Sequence, residues 1–266
     1  MVRRVRRDGT MPEAAKDVGS AWAPDLCMTW TGTEYLVGYT VVKDASRFYT
    51  DIEVRALRVT RDGAAGEVTI LGEYRTSGLI TRPSASIACA AGRTGTLIVW
   101  NGAAGANAAI VGHGGTLIAP LAVPIGSSPA VAANGGAFLV ASHSQNEIAR
   151  VLVSESGNVT IANDAAIAAE MDLFARPSVS IAPSGSGYVL AFGTSDVSAV
   201  PLDAEGRASG PVVAVSATAG LDRAPAIAGG DAPIIAYQRE RVPTAAPRWS
   251  MFTRVLFKPA RRRAVR

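Results

Sequence analysis

Histidine, cysteine and charged residues are all scarce in this chain of 266 residues. It contains two histidines and two cysteines, and only 18% of its residues are charged. His113 and His143 lie far apart in the sequence without a partner at metal-ligand spacing, so we expect neither a metal site nor a cofactor. No apolar run approaches the roughly 20 residues that a membrane-spanning helix needs, so we expect no membrane span.

Cys27 and Cys89 each lie in an apolar run typical of a β-strand, without a CxxC motif or the spacing of a disulfide framework. The pattern favours two buried free thiols, and one disulfide between them is the alternative. The first residues, MVRRVRRDGT, have the positive charge of a secretion signal. Because no apolar segment follows them, no export signal is visible.

Basic residues are concentrated at the two ends of the chain. Residues 1–7 contain four arginines, and residues 254–266 contain five arginines and a lysine, with no acidic residue in either stretch. Such ends can bind nucleic acid, anionic lipid or an acidic protein. The part between them has no basic stripe interleaved with aromatic residues, so we expect solvated termini rather than nucleic-acid binding.

A repeat of about 48 residues organises the chain. A proline followed by small and apolar residues recurs at Pro24, Pro83, Pro129, Pro177 and Pro225, at intervals of 59, 46, 48 and 48 residues. After each run come a glycine-containing turn and a second apolar run, a pair typical of a β-hairpin. A period-two stretch, a further turn and a fourth short stretch follow. Four strands per repeat of roughly 40–50 residues are typical of a β-propeller blade.

The sequence therefore predicts an all-β, five-bladed β-propeller of four-stranded antiparallel blades, forming one domain over residues 1–257, with a basic tail at 258–266. The predicted blades cover about 21–80, 81–126, 127–174, 175–222 and 223–257. Because the last repeat stops after its third strand, we expect residues 1–20 to complete blade 5 by pairing with it. Such closure leaves no unpaired sheet edge. The alternative is that the chain is a piece of a longer repeat array.

The repeat resembles a family of bacterial propeller-like repeats of unknown function, found mostly in exported proteins. Members read Pro-x-Ile-Ala, then a glycine turn with an aromatic-Leu-Val-x-Trp strand, then an Asp-Gly turn. The matching segments are Tyr35-Leu36-Val37-Gly38-Tyr39, Leu97-Ile98-Val99-Trp100, Asp8-Gly9 and Asp62-Gly63. Ser142, Phe192 and Tyr237 depart from the pattern where tryptophan is typical. The resemblance implies a propeller and an extracellular or periplasmic location, but no reaction.

Two long loops mark a candidate ligand-binding face. In a propeller, the loops that enter the first strand of each blade share one face with the loops between the second and third strands. On that face we expect the longest loop at 40–51 of blade 1, with Phe48 and Tyr49, and the next at 239–249 of blade 5, with Trp249. As neighbours in the ring, the two loops could form a ligand rim. Tolerated variation in loop length is the alternative.

Three arginines precede first strands on the same face: Arg82, Arg176 and Arg223. Guanidinium groups around one opening could hold a carboxylate or a phosphate. The alternative is that each pairs with a nearby acid, such as Asp172 or Asp222, and fixes its own loop.

These features favour a non-enzymatic binding module, monomeric, whose long-loop face contacts a carbohydrate or a protein surface. The alternative is a glycoside hydrolase, because five-bladed propellers host several such families. That chemistry needs two facing carboxylates. Asp25, at the start of the first strand of blade 1, is the candidate for one of them, and the residues at its place in the other repeats are Ser84, Ala130, Ser178 and Ala226. Nothing in the sequence selects the second carboxylate.

Overall fold

The structure, a computed structural model, describes the following residues: 25–45, 49–77, 86–102, 105–144, 147–162, 167–168, 178–193, 196–216, 221–241 and 248–255. Every regular element within these ranges is a β-strand, and the paired strands run antiparallel. Within these ranges there is no helix long and apolar enough to cross a membrane. The prediction of an all-β fold is confirmed.

The chain divides into two compact units, and the first consists of Met1–Val123 with Glu155–Gly157. This unit contains two sheets, each with its strands side by side in chain order. The first sheet comprises β1 (Leu26–Trp30), β2 (Glu34–Ala45), β3 (Tyr49–Thr60) and β4 (Ala65–Ser77). The second sheet comprises β5 (Ile87–Ala91), β6 (Gly95–Gly102), β7 (Gly105–Gly112) and β8 (Leu117–Val123).

The second unit, Pro124–Ser154 with Asn158–Arg266, contains three sheets. The third sheet comprises β9 (Ser127–Asn134), β10 (Ala137–Ser144) and β11 (Glu147–Ser154), with β12 (Val159–Ile161) and β13 (Ile167–Ala168) both paired to β11. The fourth sheet comprises β14 (Ser178–Ser184), β15 (Gly187–Gly193), β16 (Val197–Leu202) and β17 (Val213–Ala214). The fifth sheet comprises β18 (Leu221–Ala228), β19 (Ile234–Arg241) and β20 (Arg248–Val255).

Tight turns with glycine join the first two strands of the repeats, as the sequence predicts. Gly32 between β1 and β2 has a φ of 103°, and Gly136 between β9 and β10 has a φ of 95°. Residues with a side chain rarely adopt such values, so glycine allows the chain to reverse within a few residues.

The second strand of a repeat is buried on both faces. In β15, Leu190 packs into a core with Leu139 of the third sheet. Its neighbours Val189 and Ala191 point the other way and pack with Ile235 of the fifth sheet. Burial on two faces explains why these strands are continuous apolar runs rather than alternating ones.

A disulfide links the two sheets of the first unit. It joins Cys27 on β1 to Cys89 on β5, whose Cα atoms are 5.8 Å apart, within the usual range for such a bond. The two side chains lie beside the core that Leu36 and Ile52 of the first sheet form with Trp100 of the second. The expectation of two free thiols is therefore wrong. Its error has a physical reason, since the cysteines belong to different sheets and meet only because the two sheets pack face to face.

Arginines on third strands also connect sheets within each unit. Arg58 on β3 donates a hydrogen bond to the carbonyl oxygen of Gly112, at the end of β7, over 2.7 Å. Arg150 on β11 is buried and donates to the carbonyl oxygen of Gly206, after β16, over 3.0 Å. In both cases the arginine of one sheet bonds to a turn that belongs to another sheet of the same unit, so these arginines fix the packing between sheets.

Candidate functional site

Polar and aromatic side chains gather at one end of the first sheet. Antiparallel pairing brings the start of β1, the end of β2, the start of β3 and the end of β4 to the same end of this sheet. We call this region the upper end of the first sheet and define it by Asp25 and residues 40–45, 49–51 and 73–77. It contains two of the sequence-predicted site residues, Asp25 and Tyr49.

The strands of the upper end extend well beyond β1. Leu26, the first residue of β1, pairs with Tyr39, yet β2 continues to Ala45 and pairs with β3 from Tyr49 onward. The expectation of a long loop over 40–51 is therefore wrong for most of this segment. β-Branched residues in both strands favour extended backbone, and oppositely charged neighbours across the strands stabilise it.

Ion pairs cover one face of this extension. Lys43 on β2 donates to Glu73 on β4 over 2.7 Å and lies 3.6 Å from Glu53 on β3. Glu53 is buried, and Arg55 of the same strand is its second cationic partner. The hydrogen bond from Lys43 holds the pKa of Glu73 below its ordinary value. The upper end therefore presents charged groups in fixed positions.

Tyr49 is held in place at the start of β3. The guanidinium of Arg75 lies 4.1 Å from the centre of its ring. Asp51 accepts two hydrogen bonds from the same guanidinium, from Nε over 2.6 Å and from Nη2 over 2.8 Å. These bonds lower the pKa of Asp51. The arrangement fixes an aromatic ring beside a carboxylate and a cation, and Arg75 is a member of it that the sequence does not reveal.

Asp25 lies immediately before β1 and connects it to β5. Its Oδ1 accepts a hydrogen bond from the backbone N–H of Leu26 over 2.9 Å, and its Oδ2 accepts one from Ile87 over 3.0 Å. Burial raises the pKa of Asp25, although these two backbone donors act in the opposite direction. A half-buried carboxylate with one N–H on each oxygen joins two neighbouring strands, and it keeps acceptor positions for a further donor.

Strand register identifies which residues occupy the place of Asp25 in other sheets. The carbonyl oxygen of Asp25 accepts a hydrogen bond from Thr40 of β2, and that of Ser86 accepts one from Asn101 of β6 in the same way. Ser86 is thus the equivalent in the second sheet, and the sequence-based choice of Ser84 is wrong. The reason is that β5 begins four residues after its proline, whereas β1 begins two residues after Pro24.

The other predicted site residues are described only in part. Arg223 lies within β18 opposite Gln238, so the expectation that it precedes the first strand is wrong. Trp249 lies on β20 opposite Glu240. The predicted loop at 239–249 is shorter than expected, because β19 continues to Arg241 and β20 begins at Arg248. Phe48, Arg82 and Arg176 lie outside the described residues, as do residues 1–20. Among the residues that are described, no three histidine, cysteine or acidic side chains cluster as metal ligands would.

Each unit also exposes an apolar sheet face. On the first sheet, Leu26, Met28 and Trp30 of β1 point away from the core, with Leu26 61% exposed. On the fifth sheet, Ile234 and Met251 are exposed in the same manner, Met251 to 73%. The inward-facing residues of both sheets are buried in their own unit.

Comparison with known proteins identifies a fold but no family. No protein-family model and no curated protein sequence matches the chain. Solved structures similar to it, among them a lyase, a glycoside hydrolase and a lectin, are β-propeller proteins. The five antiparallel sheets of the described residues form an all-β fold.

Three of these structures give the extent of the similarity. A proposed 6-phosphogluconolactonase from Bacteroides uniformis has a TM-score of 0.50 and 14% identity, over 91% of this chain and 74% of that one. The Aleuria aurantia lectin in complex with Fucα1-6GlcNAc has 0.45 and 9%, over 87% and 95%. The GH43_1 enzyme from Xanthomonas citri complexed with xylotriose has 0.44 and 13%, over 91% and 90%. At such identities the similarity concerns the fold alone.

Proposed function

We propose that the protein is a non-enzymatic binding module that takes a neutral carbohydrate at the upper end of the first sheet. The observation that carries the proposal is the fixed set of Tyr49, Arg75 and Asp51. An aromatic ring offers a flat apolar surface to the C–H face of a sugar, and charged groups beside it can hydrogen-bond its hydroxyl groups. Because the set is held by its own ion pair, little side-chain freedom is lost on binding.

The remaining candidates complete this proposal. Phe48 precedes Tyr49 directly, and Trp249 and Arg223 belong to the fifth sheet. Arg82 and Arg176 precede the first strands of the second and fourth sheets. We propose that these residues form the rest of the ligand rim, which is also where a protein surface would dock.

A direct test measures sugar binding by glycan array and by calorimetry. Tyr49→Ala should weaken the affinity of whichever glycan binds by about 10- to 30-fold, because stacking residues are among the strongest contributors to binding. The matched control is Tyr35→Ala, since the ring of Tyr35 packs at a tilt against Trp30 at the opposite end of the same sheet, with ring centroids 4.7 Å apart. Equal effects of the two variants, or no glycan bound by the wild type, would contradict the proposal.

A glycoside hydrolase is the second candidate, and the raised pKa of Asp25 is the observation that favours it. Catalytic acids have a raised pKa of this kind, and hydrolysis requires a second carboxylate about 5–9.5 Å away. The two backbone N–H groups on Asp25 favour a structural role instead. If the wild type hydrolyses chromogenic glycosides and Asp25→Asn does not, the protein is a glycoside hydrolase and the binding-module proposal is wrong.

We also propose that the five sheets are five blades of one closed ring, with residues 1–20 supplying the outer strand of the fifth. One observation supports this proposal: the fifth sheet has three described strands where the first, second and fourth have four. Removal of residues 1–20 should lower the melting temperature. An unchanged melting temperature would argue against closure.

A further inference from the structure

Four buried side-chain polar atoms of the first unit have no hydrogen-bond partner among the described residues, and two of them are donors that belong to one core cluster. These two donors are the phenol oxygen of Tyr74 on β4 and the indole nitrogen of Trp100 on β6. The two residues are only 9% and 1% exposed. Buried polar groups in folded proteins are nearly always satisfied, so a pair of unsatisfied donors indicates that something else supplies an acceptor.

The two donors lie on facing sides of the first and second sheets. Tyr74 and Trp100 belong to the same core cluster. Gly72, two residues before Tyr74 on the same face of β4, lies directly against the indole, since a Cβ atom at Gly72 would be 3.0 Å from Trp100 Cζ2. The strand that carries Tyr74 therefore approaches the ring of Trp100 closely.

Asp25 supplies the matching acceptor at the same level of the two sheets. Its Oδ2 accepts the N–H of Ile87, and Ile87 is the residue opposite Trp100 in the pairing of β5 with β6. Burial, together with the charge of Asp25, raises the pKa of Tyr74, which agrees with the two side chains facing the same space. A carboxylate has about four acceptor positions, and Leu26 and Ile87 use two of them.

We propose that Asp25, Tyr74 and Trp100 together bind one hydroxyl group, and we call the place between these three side chains the slot. A hydroxyl oxygen accepts two hydrogen bonds and donates one, which matches two donors and one acceptor. An anion would be repelled by Asp25, and a metal ion would meet two N–H or O–H donors. The hydroxyl group belongs either to a water molecule or to a neutral polyol such as a sugar.

This assignment does not rest on the function proposed above. A water molecule in the slot needs no sugar at Tyr49, and stacking of a sugar on Tyr49 needs no occupant in the slot. If the occupant is a sugar hydroxyl, the slot extends the binding site inward from the upper end of the first sheet, between β1 and β5.

Thermal unfolding of Tyr74→Phe gives a test in which the sign of the change is decisive. If a hydroxyl group is bound, the variant loses a satisfied hydrogen bond, and the melting temperature should fall by about 2–4 °C. If the slot binds nothing, the variant removes an unsatisfied buried group, and the melting temperature should rise. Tyr188→Phe is the matched control, because buried Tyr188 donates to the carbonyl oxygen of Ala137 over 3.4 Å.

A crystal structure of the wild type locates the occupant directly. We expect an oxygen atom within about 2.7–3.2 Å of both Tyr74 Oη and Trp100 Nε1. A direct hydrogen bond from Tyr74 to Asp25, with no atom between them, would overturn the proposal.

Calorimetry with D-glucose, D-xylose and glycerol distinguishes the two sources of the hydroxyl group. A sugar in the slot predicts about tenfold weaker binding in Tyr74→Phe, whereas a water molecule predicts unchanged affinity with the oxygen atom still present in crystals of the wild type. Failure of all three compounds to bind, with the oxygen atom still present in the crystals, assigns the hydroxyl group to a water molecule. Absence of the oxygen atom contradicts the present proposal.

Discussion

The first and fourth sheets follow one repeat plan but differ in strand length and in what the additional residues carry. The four strands of the first sheet have 5, 12, 12 and 13 residues, and those of the fourth have 7, 7, 6 and 2. In the fourth sheet nearly every residue of β15 is buried. The extra length of the first sheet carries ion pairs and Tyr49 instead. The shared plan therefore supplies the core, and the added strand residues supply a surface that can acquire a function.

The largest expected effect on stability comes from truncating a buried side chain of the fourth sheet. Leu190→Ala in β15 should lower the free energy of unfolding by about 2–5 kcal/mol, because a fully buried leucine leaves a cavity when truncated. Urea unfolding measures the change. Ile70→Ala on β4 is the control, since this exposed residue should change stability by less than about 0.5 kcal/mol. Similar losses in both variants would remove the distinction between the two sheets.

Removal of the disulfide should have the next largest effect, and it acts on the first unit alone. The Cys27→Ser, Cys89→Ser double variant should lose about 2–4 kcal/mol, since the bond closes a loop with a sequence separation of 62 residues. Unfolding of the wild type with and without a reductant should show the same difference, and the double variant should not respond. A wild type indifferent to reductant would contradict the link.

The smallest expected effect is a difference in how two carboxylates at the upper end of the first sheet, Asp51 and Asp25, contribute to stability as the pH changes. Arg75 lowers the pKa of Asp51, so the stability that Asp51 contributes is present at neutral pH and is lost as the pH falls through its folded-state pKa. Burial raises the pKa of Asp25, so its ionisation costs stability at neutral pH, and this cost disappears in acid.

Titration of the carboxyl groups by NMR checks this difference. The midpoint of Asp25 should lie above the ordinary aspartate value of about 3.9, and that of Asp51 below it. Added salt should reduce the shift of Asp51, because its pair with Arg75 is exposed. The reverse order of the two midpoints would contradict both assignments.

The repeat plan could be predicted from the sequence because its signals are local. The turns at Gly32 and Gly136 and the continuous apolar run around Leu190 depend on neighbouring residues alone. The prolines mark first strands less well, because Pro129 and Pro225 lie within β9 and β18 and not before them. The turns and the apolar run predict the hairpins, which the structure contains. Burial of β15 on both faces is a finding of the structure.

The contacts of the site could not be predicted because they depend on register and on packing between sheets. Arg75 meets Asp51 across 24 residues of sequence. From the sequence, Lys43 and Asp44 are typical of a polar loop. Only the structure shows that β4 places Glu73 beside Lys43. The pairing of Cys27 with Cys89 and the closeness of Tyr74 to Trp100 require knowledge of which faces meet.

Because of the disulfide, the stability of the first unit depends on the redox potential of the compartment that holds the protein. Disulfides form and persist in oxidising compartments, and thiols stay reduced in the cytosol. Until oxidation, β1 and β5 are held together by core packing and by the hydrogen bond between Asp25 and Ile87. A chain in which Cys27 and Cys89 are reduced should therefore unfold more readily than the oxidised protein.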